Sequence, residues 1–484
     1  MSLTKNFIYS SILTVSTYMF PLLVYPYVSR VLGLSYIGIV NFVDNLINYF
    51  VLISMMGIMT VGVREIAAAR GDKEKLSGIF NSFLSLTAIT TLIAVVVLWV
   101  AMYTLPTLIP HRQLLYIGLI KLTFNLFLIE WFFMGMEDFR YITNRSILIK
   151  CLYVACVFLF VKEPSDYKIY YVISVAMVVI NALINIFYSR KFVHYSLKSV
   201  NMRPFVKTFL MIGIYVLLTN VYMMLNAVWL GFVTNTDEVG YLTTATKLHT
   251  IIMAVLTSFA TILFPRMSNL LAEGKKDEFW LKINVSFDAI FVFAFPTIIF
   301  IMVAGPQLLH IIVGDGFEGA YLPLRIITPL VLVIGIEQIL VIQILLSMHQ
   351  DNVVLRNAVI AAVSAMVFNI LLTPSMGAVG SAIVWVIAEC TTLGLSAIDI
   401  YRKYRYLMPC KRILTYFLSY VPLLVLSILL YNYMTTTFIS MLAVALLTIV
   451  YAGLNEVFVI KNKVVCQLLI GIYHKTTKAG NRSK

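Results

Sequence analysis

Apolar residues in this chain come in blocks of about twenty separated by short polar breaks, the length a helix needs to cross the hydrocarbon core of a bilayer. Fourteen such blocks are predicted. The first six lie near Phe7–Tyr27, Tyr36–Val61, Ile79–Thr104, Leu114–Met134, Ile147–Val161 and Tyr170–Tyr188. The next six lie near Phe205–Val233, Tyr241–Phe264, Leu281–Ala304, Pro323–Leu346, Val354–Leu372 and Ala378–Ile398, and two more near Ile413–Tyr431 and Phe438–Leu454. The fifth block is the shortest. The pattern is that of an all-α, polytopic membrane protein, and composition agrees. Hydrophobic residues make up 61% of the 484 and charged residues 12%, against roughly 45–50% and 25% in a soluble domain. So few charges cannot cover a water-exposed surface. The first block, with Lys5 ahead of it and Pro21 and Pro26 within it, is expected to be a retained span rather than a cleaved signal.

The net charge of +14 matters less than its placement. With the N-terminus set in the cytoplasm, 28 of the 36 Lys and Arg fall in inward segments and three (Arg112, Lys162, Lys168) in outward ones. The positive-inside rule therefore predicts both termini in the cytoplasm and an even number of spans. Basic residues spread over alternate loops do not form the clustered face that nucleic acid requires. The five cysteines include no CxxC pair, which argues against a zinc site or a disulfide framework. No loop is long enough to be a domain, so any chemistry belongs to the membrane or its surfaces.

Shifting the sequence by 202 residues lays its start on its middle without a gap. Lys5 then meets Lys207, Phe7 meets Phe209, Thr17 meets Thr219, Gly38 meets Gly240, Leu46 meets Leu248 and Arg64 meets Arg266. The shift spans six helices, so both copies share one orientation, as in transporters whose parallel repeats enclose a midplane site. Residues 1–200 and 201–402 are the expected six-helix lobes, with two further spans and a basic tail over 403–484.

Polar residues mark one face of the leading spans. Asn41, Asn45 and Asn48 recur at helical spacing, and the shift places them on Thr243, Lys247 and Thr250. Tyr215, Thr219, Tyr222 and Asn226 form a second stripe, and Thr14, Tyr18 and Tyr25 a looser one. Taken singly, each Asn or Thr is explained by interhelical hydrogen bonding worth about 0.6 kcal/mol. Together the stripes describe a hydrated cavity. A lysine at a span centre costs roughly 2.5–3.5 kcal/mol to insert and so faces water or a partner. Lys247 lies six residues into its span, about 9 Å deep, and Lys121 is comparably placed. Arg30 and Arg325 are near outer ends and Lys150 near an inner one. Asp44 is close in depth to Lys247, and either pairs with it or carries a proton. Glu130, Asp288, Glu337 and Glu389 are the other intramembrane acids, Glu130 and Asp288 standing with Asp44 as candidates for ion coupling. His249 and His310 have no metal-ligand spacing, and no nucleophile motif or phosphate loop is present.

Five segments resemble the polysaccharide repeat-unit (Wzx-type, O-antigen or capsule) flippases of the multidrug/oligosaccharidyl-lipid/polysaccharide exporter superfamily. They are Pro26–Gly33 (PYVSRVLG), Gly38–Phe42 (GIVNF), Gly62–Phe80 (GVREIAAARGDKEKLSGIF), Trp131–Thr143 (WFFMGMEDFRYIT) and Gln343–Asp351 (QILLSMHQD). The resemblance implies two six-helix lobes around a cationic lumen. It also implies an undecaprenyl-pyrophosphate-linked oligosaccharide as substrate, no cofactor and no catalytic residue. Lys247, Lys121, Arg30 and Arg325 are then the candidates for the pyrophosphate, with Asn41, Asn45 and Asn48 beside them. Membrane lipids, and the polymerase and glycosyltransferases of the same pathway, are the implied partners, and the bacterial inner membrane is the implied location. The rival readings are a drug/cation antiporter of the same superfamily, which favours an acidic, aromatic cavity, and a membrane glycosyltransferase or polymerase. The last calls for paired catalytic carboxylates or a large outer loop.

Overall fold

The structure, a computed structural model, describes residues 3–196, 199–434 and 437–462, without the side chains of Tyr18, Tyr215, Thr219 and Tyr222 among others. The side chains of three of the four members of the seventh-span stripe, together with Cys466 and the basic tail beyond Asn462, thus lie outside what the structure describes. Every regular element among the described residues is helical. In the first part of the chain these are α1 (Leu3–Met55), α2 (Ile58–Ala68), α3 (Lys73–Thr104), α4 (Arg112–Asn125), α5 (Glu130–Gly135), α6 (Phe139–Phe160) and α7 (Tyr167–Ser189). They are followed by α8 (Arg203–Val233), α9 (Thr236–Ala272), α10 (Lys276–Val313), α11 (Tyr321–Ile327), α12 (Leu330–Gln338), α13 (Asp351–Tyr404), α14 (Cys410–Tyr433) and α15 (Thr437–Leu454).

Ten helical stretches among the described residues are long and apolar enough to span a membrane. Two of them hold two predicted spans each, because α1 bends at Gly33 (φ 73°, ψ 174°) and α13 at Gly377 (φ 56°, ψ −134°). Both glycines sit at positive φ, where a Cβ is strained. With α8 and α9, every one of the fourteen predicted spans finds its helix. Three differ in detail. The fifth span, predicted from Ile147, begins at Phe139, where Asp138 caps the helix by accepting the Tyr141 N–H. Arg140 and Arg145, expected in a loop, therefore belong to α6. The fourth span is broken between Asn125 and Glu130, with Ile129 in left-handed backbone (φ 35°). The tenth is divided into α11, α12 and a π-helix at Ile339–Leu346.

Two compact units pack separately. The first comprises residues 1–243 with 313–316 and 369–381, and the second the remainder. The core of the first is aromatic: Phe80 stacks on Trp131 with ring centroids 5.7 Å apart, and Phe83 meets the same indole edge-on. Two motif segments dock beside it, Arg70 donating to the Gly135 carbonyl at 2.7 Å and to Glu137 at 3.0 Å. In the second unit, Phe291 and Phe295 of α10 pack on Tyr416 and Tyr420 of α14.

The 202-residue repeat becomes a physical contact in the first unit. A Cβ on Gly38 would lie 2.1 Å from the Thr236 carbonyl oxygen, and one on Gly240 would lie 2.8 Å from Leu34 Cδ1 and 3.3 Å from the Leu34 carbonyl oxygen. Positions 34 and 236 are equivalent under the shift, as are 38 and 240. The contact is reciprocal, as a local two-fold relation requires. At Gly38 only hydrogen permits so close a backbone approach, while a Cβ at Gly240 would press on the Leu34 side chain. Gly38→Val should therefore lower stability by about 1–3 kcal/mol, the usual result of overpacking, read as a lower unfolding temperature of the purified protein in detergent. Gly394→Ala, where a Cβ meets nothing within 4 Å, should leave it unchanged. Equal stability of the two variants would contradict the contact.

Candidate functional site

The part of α1 beyond Gly33 carries the Asn-rich face of the first unit. Helical spacing puts Asn41, Asn45 and Asn48 on one side of it, with Asp44 next to them around the helix, and all four are half-buried. Asn41 Nδ2 donates to Thr243 Oγ1 at 3.0 Å, so these two repeat-equivalent residues bond directly to each other. Thr243 Oγ1 in turn donates to the Val239 carbonyl at 2.6 Å.

Asp44 is held from two sides. Lys121 Nζ of α4 donates to Oδ1 at 2.6 Å, and Asn48 Nδ2, one turn along α1, donates to Oδ2 at 3.0 Å. Lys121 is 13% exposed and Asp44 31%. The ion pair neutralises Lys121 in this conformation and fixes α4 against α1. Lys121 is thus the lysine that meets Asp44, where depth alone had suggested Lys247. Asp44 thus accepts from an ammonium and from a side-chain amide.

The remaining predicted residues fall in separate places. Arg30 is exposed at the end of the first half of α1 and lies along Gly314, where a Cβ would come 3.2 Å from its Cγ. Lys247 is half-buried in α9, with Thr250 exposed one turn on. Arg325 is exposed in the last turn of α11. Lys150 donates to Ser16 and Thr17 at 2.9 and 3.0 Å, which anchors α6 on α1. Glu130 accepts from Arg145 at 2.7 Å. Asp288 of α10 pairs with Arg412 of α14 at 3.2 Å and lines a pocket of about 430 Å³ with Asn284, Tyr416, Lys461 and Asn462.

Sequence reasoning missed two arrangements. One centres on Arg145, whose side chain is 3% exposed. It bonds Glu130 and Asn185, Asn185 also accepts from the Tyr141 hydroxyl at 2.9 Å, and its amide N–H reaches the Leu128 carbonyl. That network supplies partners to the backbone freed where the fourth span breaks, which is how a discontinuous helix is tolerated at membrane depth. In this geometry Glu130 is the counter-ion of a buried arginine. Glu130, an intramembrane acid, and Asn185, one of two asparagines in its span, were its sequence signals. The other is an apolar groove of about 500 Å³ in the second unit, lined by Leu248 and Ile252 of α9, Phe293 and Phe300 of α10 and Ile449 of α15. No sequence signal marks it.

The Lys121–Asp44 pair makes a stability prediction. Removing one partner of a buried ion pair costs about 3–5 kcal/mol, because the other charge stays behind unmatched. The partial exposure of Asp44 places Lys121→Met at the low end of that range, and adding Asp44→Asn should recover most of the loss. Thermal unfolding of the two single variants and the double variant gives the coupling. Strictly additive losses would show that the pair does not hold α4 to α1.

Comparison with known proteins agrees with this architecture. The family described as "Polysaccharide biosynthesis protein" matches residues 3–271. A protein of Escherichia coli (strain K12) named "Putative O-antigen transporter" is 25% identical over 399 residues, 82% of this chain and 96% of that one. Among solved structures, lipid II flippase MurJ in an inward closed conformation superposes with a TM-score of 0.76 at 15% identity, covering 94% of this chain and 100% of the other. At that identity the likeness establishes the fold, a polytopic bundle of membrane helices. Since the family match takes in more than half of its length, the chain belongs to the polysaccharide biosynthesis protein family.

Proposed function

We propose that the chain flips undecaprenyl-pyrophosphate-linked oligosaccharide repeat units from the cytoplasmic to the outer leaflet of the bacterial inner membrane by alternating access. The observation that carries this reading is the carboxamide face of α1, with Asp44 and Lys121 locked beside it, in a member of a polysaccharide biosynthesis family. A sugar headgroup cannot enter hydrocarbon without losing its hydrogen bonds to water, and each unmatched polar group costs several kcal/mol there. Asn41, Asn45 and Asn48 supply donors and acceptors in its place. The lipid tail stays in the bilayer, where the groove of the second unit offers it apolar surface. The names of the Escherichia coli relative and of the lipid II flippase support a lipid-linked saccharide as cargo. The lobes in this mechanism are residues 1–200 and 201–402, with 403–484 appended, and the pathway's polymerase and glycosyltransferases deliver and consume the cargo.

The pyrophosphate is assigned to Lys247, with Arg30 and Arg325 along its path. Lys247 lies too deep in α9 to reach an interface easily, and the Thr250 hydroxyl shares its face. Lys121 has a share only when Asp44 releases it. In a low-dielectric site an ammonium attracts a diphosphate far more strongly than in water. An arginine keeps the charge but brings a broad planar head. Lys247→Ala is therefore expected to cut the delivery of glycan to the outer leaflet at least tenfold with the protein still folded and inserted, while Lys247→Arg retains part of it. Full transport by a stably inserted Lys247→Ala variant would remove the anion site.

The orientation has its own test. In a variant free of other cysteines, an impermeant thiol reagent applied to intact cells should modify a cysteine at Ser165 and spare one at Ser77. The reverse labelling pattern would invert the topology.

A further inference from the structure

The pocket of about 430 Å³ around Asp288 lies where the early turns of α10 and α14 meet the segment that follows α15, and all of its walls belong to the second unit. Two cations and one acid line it, Arg412 and Lys461 against Asp288. The Arg412 guanidinium donates to both oxygens of Asp288 at 3.2 and 3.3 Å and to the Asn284 carbonyl at 3.5 Å, in every case through Nη1. Among the described residues Nε and Nη2 bond to nothing, and neither does Lys461 Nζ. Glu456 stands behind this wall, 1% exposed. Its oxygens accept from the Tyr416 hydroxyl at 3.3 Å, the Asn462 amide at 3.2 Å and the Tyr420 hydroxyl at 3.1 Å. The side chains that line the pocket itself therefore carry one net positive charge.

The backbone at Lys461 is unusual. Its φ is 54°, the left-handed region that a side chain such as lysine rarely adopts. Two bonds of 2.9 Å hold it there, Ile460 N–H to the Asn455 carbonyl and Asn462 N–H to the Glu456 carbonyl. Glycine is the usual residue where a helix ends in this way. Ending the helix does not call for an ammonium, so a lysine at this position suits a role for its side chain. The surroundings fix the level in the bilayer. Trp280 and Tyr406 stack with ring centroids 4.5 Å apart, and the Tyr406 hydroxyl donates to Asn284 Oδ1 at 3.2 Å. Such rings gather at the depth of lipid headgroups. Leu281 and Val459 also line the pocket and are each 63% exposed, so apolar surface continues outward from the cations.

We propose that this pocket binds the phosphodiester headgroup of an anionic membrane lipid, of which phosphatidylglycerol is the simplest case. It lies at the end of the spans that the positive-inside count assigns to the cytoplasm, where basic pockets between helices suit anionic headgroups. Arg412, through Nη2, and Lys461, through Nζ, take the phosphate oxygens in charge-assisted hydrogen bonds. Asp288 holds the guanidinium in place, and the acyl chains leave over Leu281 and Val459. A phosphodiester brings one negative charge to a wall with one net positive charge. Phosphatidylethanolamine brings the same phosphate with an ammonium that cancels it. A seated lipid ties the start of α14 and the segment after α15 to α10. The site shares no residue with the proposed pyrophosphate path and does not depend on the flippase reading.

Spin-labelled phosphatidylglycerol and phosphatidylethanolamine, each added in trace amount to the full-length protein in phosphatidylcholine vesicles, test the assignment through the immobilised fraction of label. The wild type should prefer phosphatidylglycerol by about fivefold or more. Arg412→Gln and Lys461→Gly should each abolish most of that preference. Lys461→Gly decides the matter if the arginine variant does not fold, because glycine suits the left-handed backbone and leaves the helix end intact. Lys411→Gln removes the same charge from an exposed neighbour outside the pocket and should keep the preference. Equal binding of the two lipids, or a preference untouched by Lys461→Gly, would overturn the site. An equal loss in Lys411→Gln would replace it with diffuse surface attraction. Full displacement of the labelled lipid by millimolar inorganic phosphate at constant ionic strength would make it a site for free phosphate and end the lipid assignment.

Discussion

A charged group within a membrane span has little water around it, so a partner on another helix is what keeps it from destabilising the fold. Lys121 has Asp44, Arg145 has Glu130 and Asn185, Lys150 has Ser16 and Thr17, and Arg412 has Asp288. Each pairing joins different helices: α4 to α1, α6 to α5 and α7, α6 to α1, and α14 to α10. Apolar contacts cannot fix such registers alone, because lipid solvates a leucine as well as another helix does. Hydrogen-bonded charge has no comparable alternative in the bilayer. The polar residues, few as they are, therefore decide which helix faces which, and the aromatic clusters fill in around them.

This explains which parts of the structure were legible in the sequence. Helix existence follows from block length and apolarity, which are local properties, and all fourteen predicted spans have a helix. Breaks within spans are not local. The interruption of the fourth span at Leu126–Ile129 is stabilised by Asn185 reaching the Leu128 carbonyl from 57 residues away, and nothing in the apolar run itself announces it. Arg145 was placed outside the membrane because a buried arginine is expensive until its partners are known. At the candidate site, the spacing of Asn41, Asn45 and Asn48 reveals a face, and the depth of Lys121 and Asp44 reveals that each needs a partner. That they meet each other depends on how α4 packs on α1, which spacing does not encode.

The repeat is the exception, a long-range relation visible in one dimension. An offset of 202 residues predicted equivalence and nothing about contact. In the folded chain the two copies touch: Gly38 faces Thr236, Gly240 faces Leu34 in the reciprocal contact, and Asn41 donates to its equivalent Thr243. A duplicated segment that packs on its own copy needs small residues at the shared position, since any side chain there is met by its own counterpart or by a backbone carbonyl. Glycine at both 38 and 240 satisfies that requirement, which gives the pair a steric reason beyond chance identity in apolar sequence.

The same geometry bears on mechanism. A contact made of backbone, two glycines and one amide-to-hydroxyl bond has little side-chain interdigitation to unlock, so helices can turn about it at modest cost. A salt bridge such as Lys121–Asp44 behaves oppositely, since separating its charges in a low dielectric is expensive unless water, a proton or a ligand takes the place of one partner. Along α1 the two kinds of contact stand close together, with Gly38, Asn41 and Asp44 all within two helical turns. A helix pivoting at the first contact moves the second by a short lever. Under the proposed function, a polyanionic headgroup arriving beside Lys121 would compete with Asp44 for the ammonium. Ligand binding and helix movement would then act on the same ion pair, and a state holding the headgroup would differ in energy from an empty one through that pair.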